Sequence, residues 1–319
     1  MRPRNVLVTG ASSPIGERLV RTLLQDPRVD RVIAIAGGPA DETPLHPQPR
    51  LRILQVDLRR ERDVHELLFG PAREWEIDVI CHTSMHRTAR DEGRAVYAFN
   101  VEAVRAILFL GERHPTIRRL VLRSAADVYQ VQRDLPVLIG EDHPINMGAK
   151  APQYVRDRVE ADLTACVRMG LSNLQIVVLR MAEALSPGTG SQLYDYLESP
   201  VCFRPAGFDP MVNVLSVEDT VEALRLAIHS DCQGVFNVPG ADSLPLSAAI
   251  RKWGRLGLPV PGFSMTPLYR LRARVTGTDF RYGMNRRRFH YSGILDGTRA
   301  RAELGFEPTH PVSWPAGAS

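Results

Sequence analysis

The sequence predicts an α/β fold in which a doubly wound parallel sheet carries a small carboxyl-terminal lobe. Short runs rich in Val, Ile and Leu alternate with longer helical patterns over the first two-thirds of the 319 residues, as parallel βαβ crossovers require. A glycine-containing turn follows the first apolar run. After about residue 186 the chain becomes rich in Gly and Pro, which indicates a second, smaller unit.

Strands are expected where apolar residues run without alternation, because a strand covered by helices on both sides is apolar on both faces. These runs are Val6–Thr9, Arg31–Ala36, Leu51–Val56, Asp78–His82, Leu120–Ser124 and Leu174–Arg180. The segments predicted as helices are Pro14–Gln25, Glu61–Phe69, Ala95–Glu112 and Gln153–Met169. In the third helix Val96, Ala103 and Leu110 fall on one face at helical spacing. The prolines of residues 37–49 predict a loop.

The carboxyl-terminal third is expected to contribute partly to the sheet and partly to the lobe. A helix at Glu218–His229 and a strand at Gly234–Val238 return to the sheet, whereas a helix near Ala248–Trp253 and a Pro/Gly break at 257–262 belong to the lobe. The lobe is expected against the carboxyl edge of the sheet, where open α/β sheets bind ligands. The sheet domain is predicted to span residues 1–185 with 211–240, and the substrate lobe residues 186–210 with 241–319.

Composition and charge favour an ordinary globular protein over a disulfide-rich, metal-binding or membrane-spanning one. The apolar fraction is 44% and the net charge is +4, which is ordinary for a globular protein and does not itself predict a nucleic-acid partner. The four cysteines are scattered, which favours a reducing compartment over a disulfide framework. His82, His86 and His143 show no metal-ligand spacing. Without a signal-like or membrane-spanning apolar run, we expect a cytoplasmic protein.

The turn after the first strand predicts a dinucleotide site of the Rossmann type. Gly10 makes the tight turn and Gly16 permits close packing of helix on strand, so that backbone N–H groups approach a pyrophosphate. The middle glycine of the usual motif is absent, and Ser13 or Pro14 stands there; Pro14 suits a first helical position. The alternative is a strand–helix turn that binds nothing. The loop residues predicted to bind the cofactor are Gly10, Ser12, Ser13, Pro14, Ile15 and Gly16.

The residues after the second strand leave the choice of cofactor open. That strand ends in Ile35-Ala36-Gly37-Gly38. It has neither the acidic side chain that binds the adenine ribose diol of NAD nor a basic side chain for the 2′-phosphate of NADP. Either NAD or NADP is therefore compatible with the sequence, with a slight preference for NAD. Asp57, after the third strand, is placed to reach the adenine amino group or, equally, to cap a helix.

A set of motifs gives the chain a family resemblance. It comprises Thr9–Gly16, Val56-Asp57-Leu58, Asp78–His82, Asn100, Ser124–Tyr129, Tyr154, Met211–Asp219 and Glu303–Pro308. Together these resemble the extended short-chain dehydrogenase/reductase family, in its NAD-dependent epimerase/dehydratase branch, and within it UDP-glucose 4-epimerase-like proteins with an atypical active site. The resemblance implies further cofactor contacts from Leu58, Thr83 and Asn100. It also implies a small-molecule substrate, such as a nucleotide sugar or similar phosphorylated alcohol, and a homodimer.

The same resemblance implies a catalytic set that this chain has altered. Tyr154 matches the tyrosine that acts as general acid/base, but the lysine expected four residues later is Arg158, and the assisting hydroxyl position is Ala125. Ser124, one residue early, is the remaining hydroxyl candidate. Arg158 offers charge and hydrogen bonds to ribose, yet its pKa above about 12 prevents proton exchange at neutral pH. Asp127 matches a dehydratase acid without the adjoining one. In the alternative, Tyr154 and Arg158 merely line a helix.

A basic stretch in the lobe is open to three interpretations. Its arginines are Arg270, Arg272, Arg274, Arg281, Arg286, Arg287 and Arg288. In the first interpretation they bind the diphosphate of a substrate. In the second they form a solvated surface. In the third they contact an acidic partner such as an anionic membrane surface. For the substrate, the resemblance points to Arg180, Asn213 and Arg274. The chain is thus predicted to be an atypical NAD(P)-dependent epimerase, reductase or dehydratase; the alternative is a catalytically impaired dinucleotide-binding sensor or scaffold.

Overall fold

A computed structural model describes residues 3–37, 44–148 and 151–315, so the predicted loop at 37–49 lies partly outside the described residues. In chain order the strands are β1 (Arg4–Thr9), β2 (Val29–Ala36), β3 (Leu51–Gln55), β4 (Val79–His82), β5 (Arg119–Ala125), β6 (Leu138–Ile139), β7 (Gln175–Met181), β8 (Glu183–Ala184), β9 (Val201–Pro205), β10 (Met211–Leu215), β11 (Gly234–Val238), β12 (Asp242–Pro245), β13 (Leu256–Val260) and β14 (Ile294–Leu295). The helices are α1 (Pro14–Gln25), α2 (Glu61–Leu67), α3 (Arg94–Tyr97), α4 (Ala103–Gly111), α5 (Gln153–Cys166), α6 (Gln192–Leu197), α7 (Val217–His229), α8 (Leu246–Lys252), α9 (Gly262–Thr276) and α10 (Tyr282–Asn285).

The main sheet has seven strands in the order β11-β7-β5-β4-β1-β2-β3, and its strand pairs are all parallel. The order of strands therefore reverses between β1 and β4. Ligand crevices in open α/β sheets form at such a reversal, outside the carboxyl ends of the strands. The predicted doubly wound sheet is confirmed, and its topology places the candidate site beside Thr9 and His82, where β1 and β4 end.

The sheet is covered by helices on both faces. Val6 and Val8 of β1 belong to one apolar cluster, together with residues of α1 and α7. Leu7, between them, belongs to the cluster on the opposite face with residues of α2 and α4. Successive side chains of a strand point to opposite faces, so both faces of β1 are buried. This explains why the strand is apolar without alternation.

The predicted helices are present, with one internal departure. The segment predicted as one helix at Ala95–Glu112 consists of α3, a wider π-type turn at Ala98–Glu102, and α4. A similar turn at Leu68–Ala72 follows α2 and contains Pro71, whose missing N–H and ring disturb regular α-helical bonding.

The lobe has its own apolar cluster and a small sheet. Aromatic rings dominate this cluster, including Tyr196, Tyr269, Phe280, Tyr282 and Phe289. The three-stranded sheet has the order β12-β10-β8, and β13 pairs with β9 in parallel. The predicted Pro/Gly break at 257–262 is therefore wrong for its first residues, which form β13. In the two-stranded β9–β13 sheet each strand is an edge, where a proline is tolerated because one row of N–H groups is unpaired.

None of the helices described in the three residue ranges is long and apolar enough to cross a lipid bilayer.

Candidate active site

The turn between β1 and α1 contains two glycines, and any other residue at either position would force neighbouring backbone atoms to move. Gly10 has φ of +71°, and a Cβ there would lie 3.0 Å from the backbone nitrogen of Ser84. A Cβ on Gly16 would lie 2.1 Å from the carbonyl oxygen of Gly10. The helix therefore starts in direct contact with the turn, and its amino-terminal end lies at the floor of a groove.

Ser13 caps this helix rather than presenting a free hydroxyl. Its Oγ accepts a hydrogen bond from the N–H of Gly16 at 3.0 Å and donates one to the carbonyl of Gly10 at 2.7 Å. Pro14 occupies the first turn of the helix, as its missing N–H favours. The residue in place of the middle glycine thus stabilises the turn internally.

A groove of about 610 Å³ runs over this turn, from the end of β2 to the end of β5. Of the predicted cofactor-binding residues, Gly10, Ser12, Ser13, Ile15, Leu58 and Thr83 line it. The Thr83 hydroxyl is already engaged, since it donates to the carbonyl of Thr9 at 2.6 Å. Ala36 and Gly37, also in the lining, bring no charged side chain to the groove.

Two predicted cofactor residues are hydrogen-bonded within the protein. The carboxylate of Asp57 points to Arg59, whose Nε is 2.7 Å away and whose hydrogen bond holds the Asp57 pKa below its ordinary value. Asp57 is not the cap of α2 either, since Arg60 holds that position. Asn100 accepts a hydrogen bond from the backbone N–H of His86 and lines a small pocket that shares Ser84, Met85 and Arg123 with the groove. Both side chains thus have partners within the protein, and their contacts with a cofactor stay predictions.

Tyr154 and Arg158, on the first turns of α5, line a small pocket that shares Met85, Arg123 and Thr189 with the groove. The Arg158 guanidinium lies over the Tyr154 ring at 3.8 Å from its centroid and donates to the Tyr154 hydroxyl. It also forms an ion pair with Asp127 at 2.5 Å. The Tyr154 hydroxyl in turn donates to the carbonyl of Gly190 at 2.7 Å. The spacing of four residues therefore brings both side chains to one face of the helix.

Burial keeps the Tyr154 hydroxyl protonated at neutral pH. Desolvation raises the pKa of Tyr154 well above its ordinary value, although the positive charge of Arg158 acts in the opposite direction. For Asp127, burial opposes ionisation, but the charges of Arg158 and Arg288 outweigh it and hold the pKa below the ordinary value. The site thus combines a neutral phenol, a guanidinium and a carboxylate.

Ser124 and Arg180 belong to a buried polar network, and Ser124 also lines the pocket of Tyr154 and Arg158. The Ser124 hydroxyl donates to Asp162 at 2.5 Å, and Arg180 pairs with the same carboxylate at 2.6 Å. Arg180 also donates to the Tyr129 hydroxyl, which donates to Asn237. The Arg180 side chain is 4% exposed and is held by Asp162, so the fold gives it a structural partner, and its contact with substrate stays a prediction. The Ser124 hydroxyl is likewise held by Asp162, and its catalytic role stays a prediction.

The remaining predicted substrate residues are divided between two places. Asn213 lines an apolar cavity between the sheet and the lobe, where its side chain also bonds to Gly240. Arg274 lies on an exposed face of α9 and lines a separate surface pocket. Of the basic stretch, Arg288 lines the apolar cavity, and it pairs with Glu183 at 3.6 Å. The structure therefore does not assemble the predicted set of arginines around one substrate diphosphate.

The sequence prediction missed Arg123, which enters the site from β5. Arg123 lines both the groove and the pocket that contains Tyr154 and Arg158. The signal was available, because side chains two residues apart on a strand share a face and Ala125, the expected hydroxyl position, lies two residues further on.

Among the residues that the structure describes, no group of three or more His, Cys, Asp or Glu is arranged to hold a metal ion.

The chain matches one protein family over the residues that form most strands of the main sheet. The profile of the NAD dependent epimerase/dehydratase family matches residues 6–201. The chain is also similar over nearly its whole length to curated proteins. It is 29% identical over 316 residues to an uncharacterised protein of Mycobacterium tuberculosis, covering 96% of this chain and 80% of that protein. It is 29% identical over 330 residues to a 3-diazoavenalumate denitrifying reductase of Streptomyces, covering 97% of each.

Among solved structures, the chain is similar to the dTDP-glucose 4,6-dehydratase of Bacillus anthracis in complex with NAD. The TM-score is 0.71 at 18% identity, over 97% of this chain and 92% of that one. At this level of identity the likeness shows a shared fold.

Proposed function

The chain belongs to the NAD-dependent epimerase/dehydratase family, and from that premise we propose that it is an NAD(P)-dependent oxidoreductase in which Tyr154 donates the proton. The observation that carries this proposal is the contact of Tyr154 with Arg158 in a pocket that adjoins the groove floored by the Gly10 turn. A phenol and a cation beside a dinucleotide-sized groove are the parts that reduction of a carbonyl-like group needs.

The groove fits a dinucleotide. Gly10 and Gly16 leave the backbone bare where a pyrophosphate would approach, and the amino-terminal end of α1 is the positive end of the helix dipole. Ser12 and Leu58 would contact the adenosine half. A bound nicotinamide would supply or accept the hydride. Neither an acid nor a base at Ala36 or Gly37 selects NAD over NADP, so both remain candidates.

Tyr154 has the protonation state of a proton donor. A phenol carries its proton at neutral pH, and burial, which raises the pKa of Tyr154, strengthens that preference. A substrate oxygen that displaces the Gly190 carbonyl would receive the hydrogen bond, and then the proton, from the Tyr154 hydroxyl. Arg158 would stabilise the resulting phenolate by charge, but Arg158 cannot return the proton, because its own pKa is raised by Asp127 despite burial. The Tyr154 proton is replenished from solvent.

We propose that the substrate is a small organic molecule without a nucleotide, and a nucleotide sugar is the second candidate. The similarity of the whole chain to a Streptomyces reductase supports a reductive reaction on a small organic substrate. The shared fold with a dTDP-glucose dehydratase supports a nucleotide sugar. The apolar lining of the cavity at Val131, Leu193 and Phe289 favours the first.

The test is Tyr154→Phe, with Tyr97→Phe as matched control because the Tyr97 hydroxyl bonds to Glu160 at the surface of α3 and α5. Calorimetry would measure binding of NAD⁺, NADH, NADP⁺ and NADPH. Oxidation of the bound reduced form would then be followed over a panel of carbonyl compounds and nucleotide sugars. Tyr154→Phe should bind dinucleotide within about threefold of wild type and lose at least about 100-fold in turnover.

Each outcome decides between the proposals. No dinucleotide binding in the wild type would refute the oxidoreductase function. Binding without turnover on any compound, or turnover that survives Tyr154→Phe, would refute the role of Tyr154. Binding without turnover would support the alternative, a dinucleotide-binding sensor or scaffold.

A further inference from the structure

Arg123 is a charged side chain in the site that has no partner among the residues the structure describes. Its Nε is buried without a hydrogen-bond partner among the described residues. Over the same residues its guanidinium takes part in no hydrogen bond or ion pair. Burial, and then the charge of Arg158, lowers the pKa of Arg123 to about 10, so the side chain still carries its charge at neutral pH.

The other arginines of the cleft are each held by the protein. Arg158 pairs with Asp127, Arg87 donates to the carbonyl of Gly188 at 3.0 Å, and Arg288 pairs with Glu183. Buried charges in proteins are ordinarily paired, since an unpaired one loses hydration without compensation. Arg123 is therefore the member of this group that is available to a ligand.

The position of Arg123 decides which ligand would meet it. Arg123 lines the dinucleotide groove together with Gly10 of the turn. It also lines the pocket of Tyr154, Arg158 and Asp127. A group that contacts Arg123 there lies beside the phenol that donates the proton, and so belongs to the reacting end of the substrate.

We propose that Arg123 binds a carboxylate group of the substrate, next to the carbon that is reduced. This inference rests on the proposed function, since it places the carboxylate at that active site. A planar guanidinium fork matches a carboxylate through two parallel hydrogen bonds. The pocket shared with Tyr154 is small, about 30 Å³, which suits a carboxylate better than a diphosphate. The apolar cavity alongside would hold the rest of the molecule.

The test titrates benzoate, and its neutral analogue benzamide, into the protein at constant ionic strength and reads the heat of binding. The proteins are wild type, Arg123→Met, Arg123→Lys and the control Arg133→Met, which alters an exposed arginine after β5. Arg123→Met removes a buried unpaired charge at similar side-chain length, so it should melt at or above the wild-type temperature.

Benzoate should bind wild type and Arg133→Met at least about tenfold tighter than benzamide. Arg123→Met should lose that preference, and Arg123→Lys should keep part of it. Equal binding of benzoate to Arg123→Met and wild type, or of benzoate and benzamide to wild type, would overturn the proposal. Tighter binding of inorganic phosphate than benzoate would overturn the choice of carboxylate.

Dinucleotide binding is titrated separately in the same four proteins, which distinguishes the two failures. Its absence in wild type refutes the oxidoreductase function, and with it the placement of the carboxylate beside a hydride site. Intact dinucleotide binding without an Arg123-dependent benzoate effect refutes the role of Arg123 alone.

Discussion

Replacing Asp127 with asparagine should destabilise the protein by about 3 kcal/mol at neutral pH. The substitution keeps the shape of the side chain but removes the negative charge that pairs with Arg158 at 2.5 Å. Arg158 would then be a buried cation beside a second one, Arg123, which already has no partner among the described residues.

The size of the effect follows from the burial of the pair. The side chains of Arg158 and Asp127 are 8% and 17% exposed, so water can replace little of the lost interaction. Removing one member of a buried ion pair costs about 3–5 kcal/mol. Because the asparagine oxygen can still accept one hydrogen bond from Arg158, we expect a loss near the lower end of that range.

The measurement is urea denaturation followed by circular dichroism at low salt, since guanidinium would screen the charges. The pH dependence has a definite sign. The pKa of Asp127 is lower in the folded protein than its ordinary value of 3.8, so its stabilisation is present above that value and disappears as the pH falls through the folded pKa. Wild type and Asp127→Asn should therefore differ at pH 7, and the difference should shrink as the pH falls below 3.8 through the lower pKa of the folded protein.

Two further variants make the reasoning refutable. Asp134→Asn alters an exposed carboxylate and should change the free energy of unfolding by less than about 0.5 kcal/mol. The double variant Asp127→Asn with Arg158→Met removes both charges and should recover most of the loss. A loss below 0.5 kcal/mol in Asp127→Asn, or one that the double variant does not recover, would show that the ion pair does not stabilise the fold.

Two other predictions concern the turn and the lobe. Gly16→Ala should abolish dinucleotide binding and lower the free energy of unfolding by more than about 2 kcal/mol, because its Cβ would lie 2.1 Å from the Gly10 carbonyl oxygen. The control is Gly70→Ala, which has open space at its Cβ and should have little effect in the same melting and binding assays. Burial, and then the charge of Asp279, raises the pKa of Asp195 to about 6. Asp195→Asn should therefore raise the free energy of unfolding by about 1–3 kcal/mol at pH 7.5 and by little at pH 4. An unchanged free energy of unfolding at pH 7.5 would contradict the raised pKa of Asp195.

The parts of the fold that depend on local pattern could be predicted from the sequence. Helix α1 and strand β11 have the predicted bounds, since a serine cap with Pro14 fixes the first and a bounded apolar run fixes the second. Strand β13 was not predicted, because Gly257 and Pro259 mark it as a break. Only its pairing with β9, distant in sequence, makes it a strand.

The site could be predicted only where spacing along one element was enough. Tyr154 and Arg158 are one helical turn apart, so their contact followed from the sequence. Arg180 was assigned to the substrate because nothing near it in sequence reveals Asp162, which holds it from a different element. Conversely, the availability of Arg123 depends on which acceptors its neighbours use, and that is a property of the folded molecule.

The carboxylate of Asp162 has a consequence for how this cleft can respond to a ligand. Asp162 ties α5 to β5 through Ser124 and to β7 through Arg180, two helical turns beyond Tyr154. The wall that carries the reacting phenol is thereby locked against the sheet. The opposite wall is the segment at residues 186–191, where the glycines at 188 and 190 adopt positive φ. Their carbonyls accept hydrogen bonds from Arg87 and Tyr154. A substrate oxygen that takes over the hydrogen bond of Tyr154 would therefore release this segment, and not α5, from its contact across the cleft.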